Sequence, residues 1–185
     1  MYHPYLIGEK VYLRGIEKED LKGDYFQWSN DWEVTKYMFR GERPSRMEIL
    51  EEYYNSVIRS PNDIELIIVD KKTDKPVGNA GLHSINWIGR AAEYRIMIGD
   101  KKSWNRGYGT EVAKLMLFYA FDRLNMNRVW LGVNAELEGG IRSYKKAGFK
   151  EEGTLRQEQY RNGRHYDIVR MSVLREEYYK QQTKE

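Results

Sequence analysis

A pair of glycines at the entrance to a long apolar helix constrains this chain more than any other feature. The stretch SWNRGYGTE, residues 103–111, places Gly107 and Gly109 directly before apolar residues that recur with a helical period. Glycine lets another group approach the backbone closely, and the first turn of a helix has N–H groups without an intrahelical partner. Because the helix macrodipole adds roughly half a positive charge there, this backbone can hold an anion such as a pyrophosphate.

Glycines at this spacing also occur in dinucleotide-binding and RNA-recognition motifs, but the surrounding residues argue against both. A dinucleotide-binding fold would need a third glycine near Val112 and an acidic residue at a strand end about 20 positions later, and neither is present. An RNA-recognition strand would need aromatic residues after Gly109, where a helix begins instead. A plain tight turn into a helix is the remaining alternative.

The rest of the sequence alternates between strand and helix patterns, which predicts an α/β domain with a mixed sheet. Strands are predicted over Lys10–Arg14, Glu65–Val69, Val77–Trp87, Ala91–Ile98 and Arg128–Val133, with a final hairpin that turns at Asn162 and Gly163. Helices are predicted over Glu17–Trp28, Ser45–Ser60, Gly107–Leu124 and Gly139–Ala147. Ser45 and Glu48 have the spacing of a capping box. The strands between residues 65 and 98 should form an antiparallel meander.

Length and charge set the limits on function. With 185 residues, we expect a single domain over residues 1–185. The 31 Lys and Arg residues against 28 Asp and Glu are spread along the chain, which gives no case for nucleic acid. There is no run of about 18 apolar residues and no signal-peptide plan at the N-terminus, so we expect a cytoplasmic protein without a membrane segment. With no cysteine, the chain has no disulfide, thiolate metal site or cysteine nucleophile.

Four motifs together resemble the GNAT superfamily of acetyl-CoA-dependent N-acetyltransferases. They are Trp104–Glu111, Val133–Glu136, Ile141–Gly153 and Asn162–Arg164. Within that superfamily the chain is most similar to the RimJ/RimL-type branch, which includes ribosomal-protein N-terminal acetyltransferases and spermidine acetyltransferase. The resemblance extends from Tyr12 to Met171. It implies the GNAT fold, acetyl-CoA as co-substrate, an amine acceptor and, as one option, a homodimer.

The resemblance also assigns the cofactor residues. The phosphates would lie against the loop of Trp104, Asn105, Arg106, Gly107, Tyr108, Gly109 and Thr110. Backbone N–H groups of Met97, Ile98 and Gly99 would polarise the thioester carbonyl, where their strand diverges from the strand of residues 131–133. The family commonly has Asn at the position of Leu137 and Ser or Ala at that of Gly140. Either Asn134 replaces the missing amide, or the cofactor is held less tightly, or the site has been retuned. The three histidines lack metal-ligand spacing, so no metal is expected.

Two residues are candidates for proton transfer. The resemblance assigns Tyr144 as the general acid that protonates the departing thiolate; the alternative is a tyrosine that packs beside Ile141 as core. Glu93 lies on the strand that borders the acceptor site in this family, and it is the candidate base for the amine proton. The alternative for Glu93 is an ion pair with Arg95 or His83.

The acceptor is an amine that the sequence defines less sharply. Trp28, Asp31, His83 and Tyr160 are expected to line its pocket, since aromatic and acidic groups suit a cation. The alternative for the segment with Trp28 and Asp31 is packing at a helix end. We favour a protein or peptide α-amine, with a polyamine second and an amino sugar or antibiotic third. A non-catalytic acyl-CoA-binding module is the alternative from a different class.

Overall fold

The computed structural model describes residues 1–38 and 41–183, and an eight-stranded sheet forms its centre. The strands are β1 (Leu6–Ile7), β2 (Val11–Gly15), β3 (Ile64–Asp70), β4 (Lys75–Asn86), β5 (Ala91–Ile98), β6 (Arg128–Asn134), β7 (Lys150–Arg161) and β8 (Arg164–Leu174). They lie in the order β1-β2-β3-β4-β5-β6-β8-β7. Strands β5 and β6 run parallel, and the other described neighbours run antiparallel. The predicted mixed sheet and antiparallel meander are therefore confirmed.

Helices cover both faces of this sheet. They are α1 (Asp24–Asn30), α2 (Trp32–Thr35), α3 (Met47–Arg59), α4 (Tyr108–Phe118), α5 (Glu138–Ala147) and α6 (Arg175–Gln182). The larger core, which includes Tyr94 and Val112, lies under α4 and α5. A smaller core on the opposite face joins Trp28 and Leu50 to Met97. Alternate residues of β5 thus face different cores, as their alternation in the sequence predicts.

The final hairpin has the turn that its sequence predicts. Asn162 and Gly163 separate β7 from β8, and their φ angles are 47° and 81°. Two consecutive positive φ angles are the geometry of a type I′ turn, which matches the twist of the paired strands. The local sequence therefore fixes the register at this end of the sheet.

Three predicted helices have different bounds in the structure. The predicted helix Glu17–Trp28 was wrong: a 3-10 turn at Lys18–Leu21 and α1 are separated at Gly23, whose φ of 74° breaks the helix. The capping box at Ser45 was also wrong, because α3 begins at Met47 and the Ser45 N–H donates to Asn30 Oδ1. The long helix after Gly107 changes from α to π form at Tyr119–Arg123.

Three elements escaped the sequence patterns, and one of them is the four-residue helix α2. Strand β1 has two residues, which is too short to show an alternation. Helix α6 is almost entirely polar, and its buried Tyr178 packs against Phe121 with 5.0 Å between ring centroids. Within the described ranges, no helix is long and apolar enough to cross a membrane.

Candidate active site

A cleft opens where β5 and β6 separate. The two strands pair over Ala91–Glu93 and Arg128–Trp130 only, and a space of about 1030 Å³ lies beyond this point. The cleft extends from the start of α4 and the α5 surface to side chains of α3, β3 and β4 on the other face of the sheet. It brings together most of the predicted cofactor and catalytic residues.

The start of α4 supplies free backbone donors at one end of the cleft. Gly107 has a φ of 84°, in the left-handed region, and it precedes the first helical residue. The N–H groups of positions 108–110 have no acceptor among the described residues, as the first turn of a helix predicts. A Cβ added to Gly109 would lie 3.3 Å from Ser143 Oγ, so this glycine lets α5 approach. The two positions therefore require glycine for different reasons: Gly107 for its positive φ and Gly109 for the close approach of α5.

Three backbone N–H groups at the end of β5 were predicted to bind the cofactor, those of Met97, Ile98 and Gly99. One of them faces the gap between β5 and β6. The Gly99 N–H donates to Val77 O at 2.9 Å, so the expectation that it binds the cofactor is corrected. Because antiparallel strands alternate their hydrogen-bonding side, the Met97 N–H also faces β4. The Ile98 backbone points to the gap, where its carbonyl accepts a hydrogen bond from Trp104 Nε1 at 2.8 Å. Ile98 N–H is therefore the available donor of the three.

Tyr144 of α5 lies in the cleft at the edge of the main core. Its ring packs edge-on against Tyr94 and Phe149, with centroid distances of 6.2 and 5.9 Å. Burial raises the pKa of Tyr144 to about 12, because the phenolate would lose its hydration. No described residue forms a hydrogen bond with its hydroxyl group. The phenol is therefore protonated at neutral pH and free to donate.

Glu93 lies in the same cleft and forms an ion pair. Its Oε2 atom is 2.6 Å from Arg95 Nη2, and its side chain is 18% exposed. His83 is its cross-strand neighbour but binds Asp63 and Glu65 instead. Of the two ion pairs weighed as alternatives to catalysis, the structure contains the one with Arg95.

Asn134 lines the cleft, but its side chain is already engaged. Its Nδ2 donates to Gln159 Oε1 at 2.8 Å, and its Oδ1 accepts from the Glu136 N–H at 2.9 Å. Leu137, at the position where the family has Asn, packs against the main core. The expectation that Asn134 replaces that amide is therefore corrected, since its position is fixed by these two partners.

Besides Gly99, four predicted site residues lie outside the cleft lining. Trp28 is buried against Gly99, whose added Cβ would lie 2.1 Å from the indole ring. Asp31 caps α2 and lies 2.7 Å from Lys101 Nζ. Tyr160 is exposed and packs against His165. The carbonyl of Arg106 accepts from Lys10 Nζ at 3.1 Å, and Arg106 itself does not line the cleft.

A polar cluster centred on buried Glu65 of β3 was missed by the sequence analysis, apart from His83. The Glu65 cluster consists of Tyr53, Asp63, Glu65, Asn79 and His83. Burial acts to raise the pKa of Glu65, but hydrogen bonds from His83, Tyr53 and Asn79 outweigh it and hold that pKa below its ordinary value. A glutamate inside the otherwise apolar strand IELIIVD was the available signal.

Charge is distributed unevenly along the cleft. Four carboxylates line it, those of Glu33, Glu65, Glu93 and Glu158. Five Lys and Arg side chains line it as well: Lys36, Arg95, Arg142, Lys146 and Arg170. Arg142 and Lys146 lie on α5, beside the start of α4. Among the described residues, no group of three or more His, Cys, Asp or Glu side chains could hold a metal ion.

Comparison with known proteins agrees with this geometry. The family model described as "Acetyltransferase (GNAT) domain" matches residues 10–150. A spermidine N(1)-acetyltransferase of Vibrio cholerae is 30% identical over 172 residues, which cover 93% of this chain and 97% of the relative. That of Escherichia coli K12 is 31% identical, over 91% of this chain and 88% of the relative.

Two further similarities bear on the site. A putative ribosomal N-acetyltransferase of Bacillus subtilis is 29% identical, over 93% of this chain and 95% of the relative. The crystal structure of a spermidine N-acetyltransferase from Vibrio cholerae in complex with CoA and spermine superimposes with a TM-score of 0.85. That alignment has 30% sequence identity and covers 93% of this chain and 99% of the other.

Proposed function

Since the chain belongs to the GNAT acetyltransferase family, whose members use acetyl-CoA, we propose that it acetylates a primary amine of a polyamine. The observation that supports this acceptor is the position of two carboxylates, Glu65 and Glu93, in the cleft beside β4 and β5, which suits a cationic amine. The relatives named for spermidine support the same acceptor. A polyamine therefore replaces the protein α-amine as our first choice.

The cofactor would lie between the start of α4 and the gap beside β5. The N–H groups of positions 108–110 would hold the pyrophosphate, with added attraction from Arg142 and Lys146. Lys146 has no ion-pair partner among the described residues. Ile98 N–H would donate to the pantetheine arm or the thioester carbonyl in the gap. No side chain from Gly107 or Gly109 would obstruct the backbone.

Tyr144 would supply the proton for the leaving sulfur. A phenol with a pKa of about 12 is a weak acid, but it stays protonated at neutral pH and can donate a hydrogen bond to a thiolate as charge develops. Its ring is held by Tyr94 and Phe149, which fixes the direction of the hydroxyl group. This assignment rests on its position in the cleft and on the family resemblance.

Glu93 would accept the proton from the attacking amine, either directly or through water. In the structure its carboxylate is engaged by Arg95. The Arg95 side chain is 55% exposed, so solvent screens this pair and Arg95 can move away when the acceptor enters. Glu93 would then face the amine with its charge available.

A protein α-amine is the second candidate, supported by the similarity to the putative ribosomal N-acetyltransferase. The two acceptors differ in charge, because a polyamine has several ammonium groups and a peptide has a single α-amine at its terminus. The carboxylates of the cleft favour the former.

An amine panel tests the proposal directly. CoA release from acetyl-CoA would be measured with spermidine, spermine, glucosamine and a short peptide that has a free α-amine. We expect kcat/KM for spermidine to exceed that for the peptide by at least about 10-fold, because a charge-assisted contact is worth about 1.4 kcal/mol or more. A higher kcat/KM for the peptide would overturn the polyamine assignment and leave the acetyltransferase activity intact.

A further inference from the structure

We propose that Asn79, oriented by Glu65, binds the second, non-reacting nitrogen of the acceptor. This inference rests on the proposed acetylation of polyamines and adds a specificity-determining residue to that site. Asn79 was not among the residues expected from the sequence. It lines the cleft on the same face of the sheet as Glu93, and it is 6% exposed.

The Asn79 amide has one satisfied end and one unsatisfied end. Its Nδ2 donates to Glu65 Oε1 at 2.8 Å, while Oδ1 is buried without a hydrogen-bond partner among the described residues. A carboxylate only accepts, so the amide cannot turn to place its oxygen against Glu65. A buried acceptor without a donor is costly. The arrangement is explained if a ligand brings the missing N–H donor.

The charge around Asn79 indicates which kind of N–H group would donate to its Oδ1 atom. The side chain of Glu65 is 1% exposed, and it accepts from Tyr53 Oη at 2.6 Å. His83 places Nε2 at 3.0 Å from Glu65 and Nδ1 at 3.2 Å from Asp63. Even with a positive charge on His83, the cluster would have two carboxylates against one cation. The remaining negative charge favours a cationic N–H donor, which an ammonium group provides.

Gly81 permits this arrangement of His83 and Glu65. A Cβ at this position would lie 2.7 Å from His83 Nε2 and 3.1 Å from Glu65 Oε2. The imidazole therefore occupies the space above Gly81, where it reaches across from β4 to β3. His83 lines the cleft, as expected, and its two ring nitrogens lie against Asp63 and Glu65, so it positions Glu65.

The strand register places this pocket near the reacting centre. Asn79 pairs with Met97 and His83 pairs with Glu93, so the cluster lies one strand away from β5. Neighbouring strands lie about 4.8 Å apart, and alternate residues share a face. An acceptor that has its reacting amine beside β5 can therefore place a nearby second nitrogen against Asn79. A monoamine has no group for this position.

The experiment compares two acceptors in one variant. For Asn79→Ala, we expect the ratio of kcat/KM for spermidine to that for n-butylamine to fall by about 10-fold, with n-butylamine turnover nearly unchanged. Asn62→Ala is the matched control, because exposed Asn62 does not line the cleft and binds Trp87 Nε1. That control should leave the ratio unchanged.

The outcomes separate the inference from the proposed function. An equal loss on both amines in Asn79→Ala would overturn the subsite and make Asn79 a structural residue, while the polyamine function stands. If Asn79→Ala fails to fold, Asn79→Ser gives the same comparison with a shorter polar side chain, and an unchanged ratio there overturns the subsite. A wild-type protein that acetylates the peptide but no polyamine would overturn the proposed function and the subsite with it.

Discussion

At the α4 end of the cleft the proposed binding groups are backbone N–H groups, whereas at the proposed acceptor end they are side chains on α3, β3 and β4. The α4 end comes from one continuous stretch of sequence, residues 103–111. The acceptor end combines Tyr53, Glu65, Asn79 and His83, which lie on three elements. A backbone site depends on local conformation, and a side-chain site depends on which strands become neighbours.

This difference predicts how each end responds to substitution. At the α4 end, a change acts through added bulk, since the backbone donors themselves remain. At the acceptor end, a change removes the binding group or its partner. The following variants test the two ends and the catalytic residues between them, beginning with the largest expected effect.

Tyr144→Phe should have the largest effect on turnover. The variant keeps the ring that packs against Tyr94 and removes the proton donor, so kcat should fall by roughly 10²-fold while acetyl-CoA affinity changes little. Tyr179→Phe is the control, because Tyr179 lies on α6 and binds Asp122. Steady-state rates and calorimetry with CoA would measure both. Wild-type kcat in Tyr144→Phe, with chemistry rate-limiting, would place the acid elsewhere.

The pH profile adds a check on Tyr144. Because burial raises its pKa to about 12, the phenol keeps its proton as pH rises through 10, the ordinary tyrosine value. The wild-type kcat should therefore not decline near pH 10 through loss of this proton. A decline there that is absent in Tyr144→Phe would mean that the bound cofactor lowers the Tyr144 pKa.

Gly109→Val should weaken CoA binding by more than about 10-fold. The added side chain would approach Ser143 Oγ and cover the N–H groups at the start of α4. Gly153→Val is the matched control, since nothing lies within 4 Å of a Cβ at that position. Calorimetry that shows unchanged affinity in a folded Gly109→Val protein would remove the pyrophosphate assignment.

Glu93→Gln should lower the rate by roughly 10-fold near neutral pH and less at high pH. The substitution keeps the shape of the side chain and removes the base, but above an amine pKa of about 10 the acceptor deprotonates unaided. Glu151→Gln serves as the control, because Glu151 forms a surface pair with Lys145. A uniform loss across the pH range would mean that Glu93 orients the acceptor and takes no proton.

Asp31→Ala should have the smallest effect on catalysis. Asp31 caps the short α2, so its loss should cost about 1 kcal/mol of stability and leave the KM values for amine and acetyl-CoA nearly unchanged. Asp31→Asn keeps a capping side chain and should retain most of that stability. Thermal unfolding and steady-state kinetics would measure these effects. A rise in amine KM alone would return Asp31 to the acceptor pocket.

The sequence-based predictions agree with the structure where a feature depends on residues close together in the chain, and they fail where it depends on distant contacts. The β5 alternation, the Asn162 turn and the glycine-led start of α4 depend on near neighbours, and all were predicted. The division of Glu17–Trp28 at Gly23 was missed, because a glycine inside an apolar pattern does not by itself reveal a positive φ. Trp28 and Asp31 were assigned to the acceptor from residue type, but their contacts with Gly99 and Lys101 occupy them elsewhere.

The sequence by itself determined the α/β order, the family and the glycine-led start of α4, because a helix start and its glycines are defined by consecutive residues. Only the tertiary structure decided which donors of β5 stay free, since the pairing with β4 engages Gly99 and turns Ile98 to the gap. It also decided the acceptor end, where Glu65 and Asn79 are 14 positions apart but share a hydrogen bond. Such a contact depends on the register between two strands, which single-residue patterns do not encode.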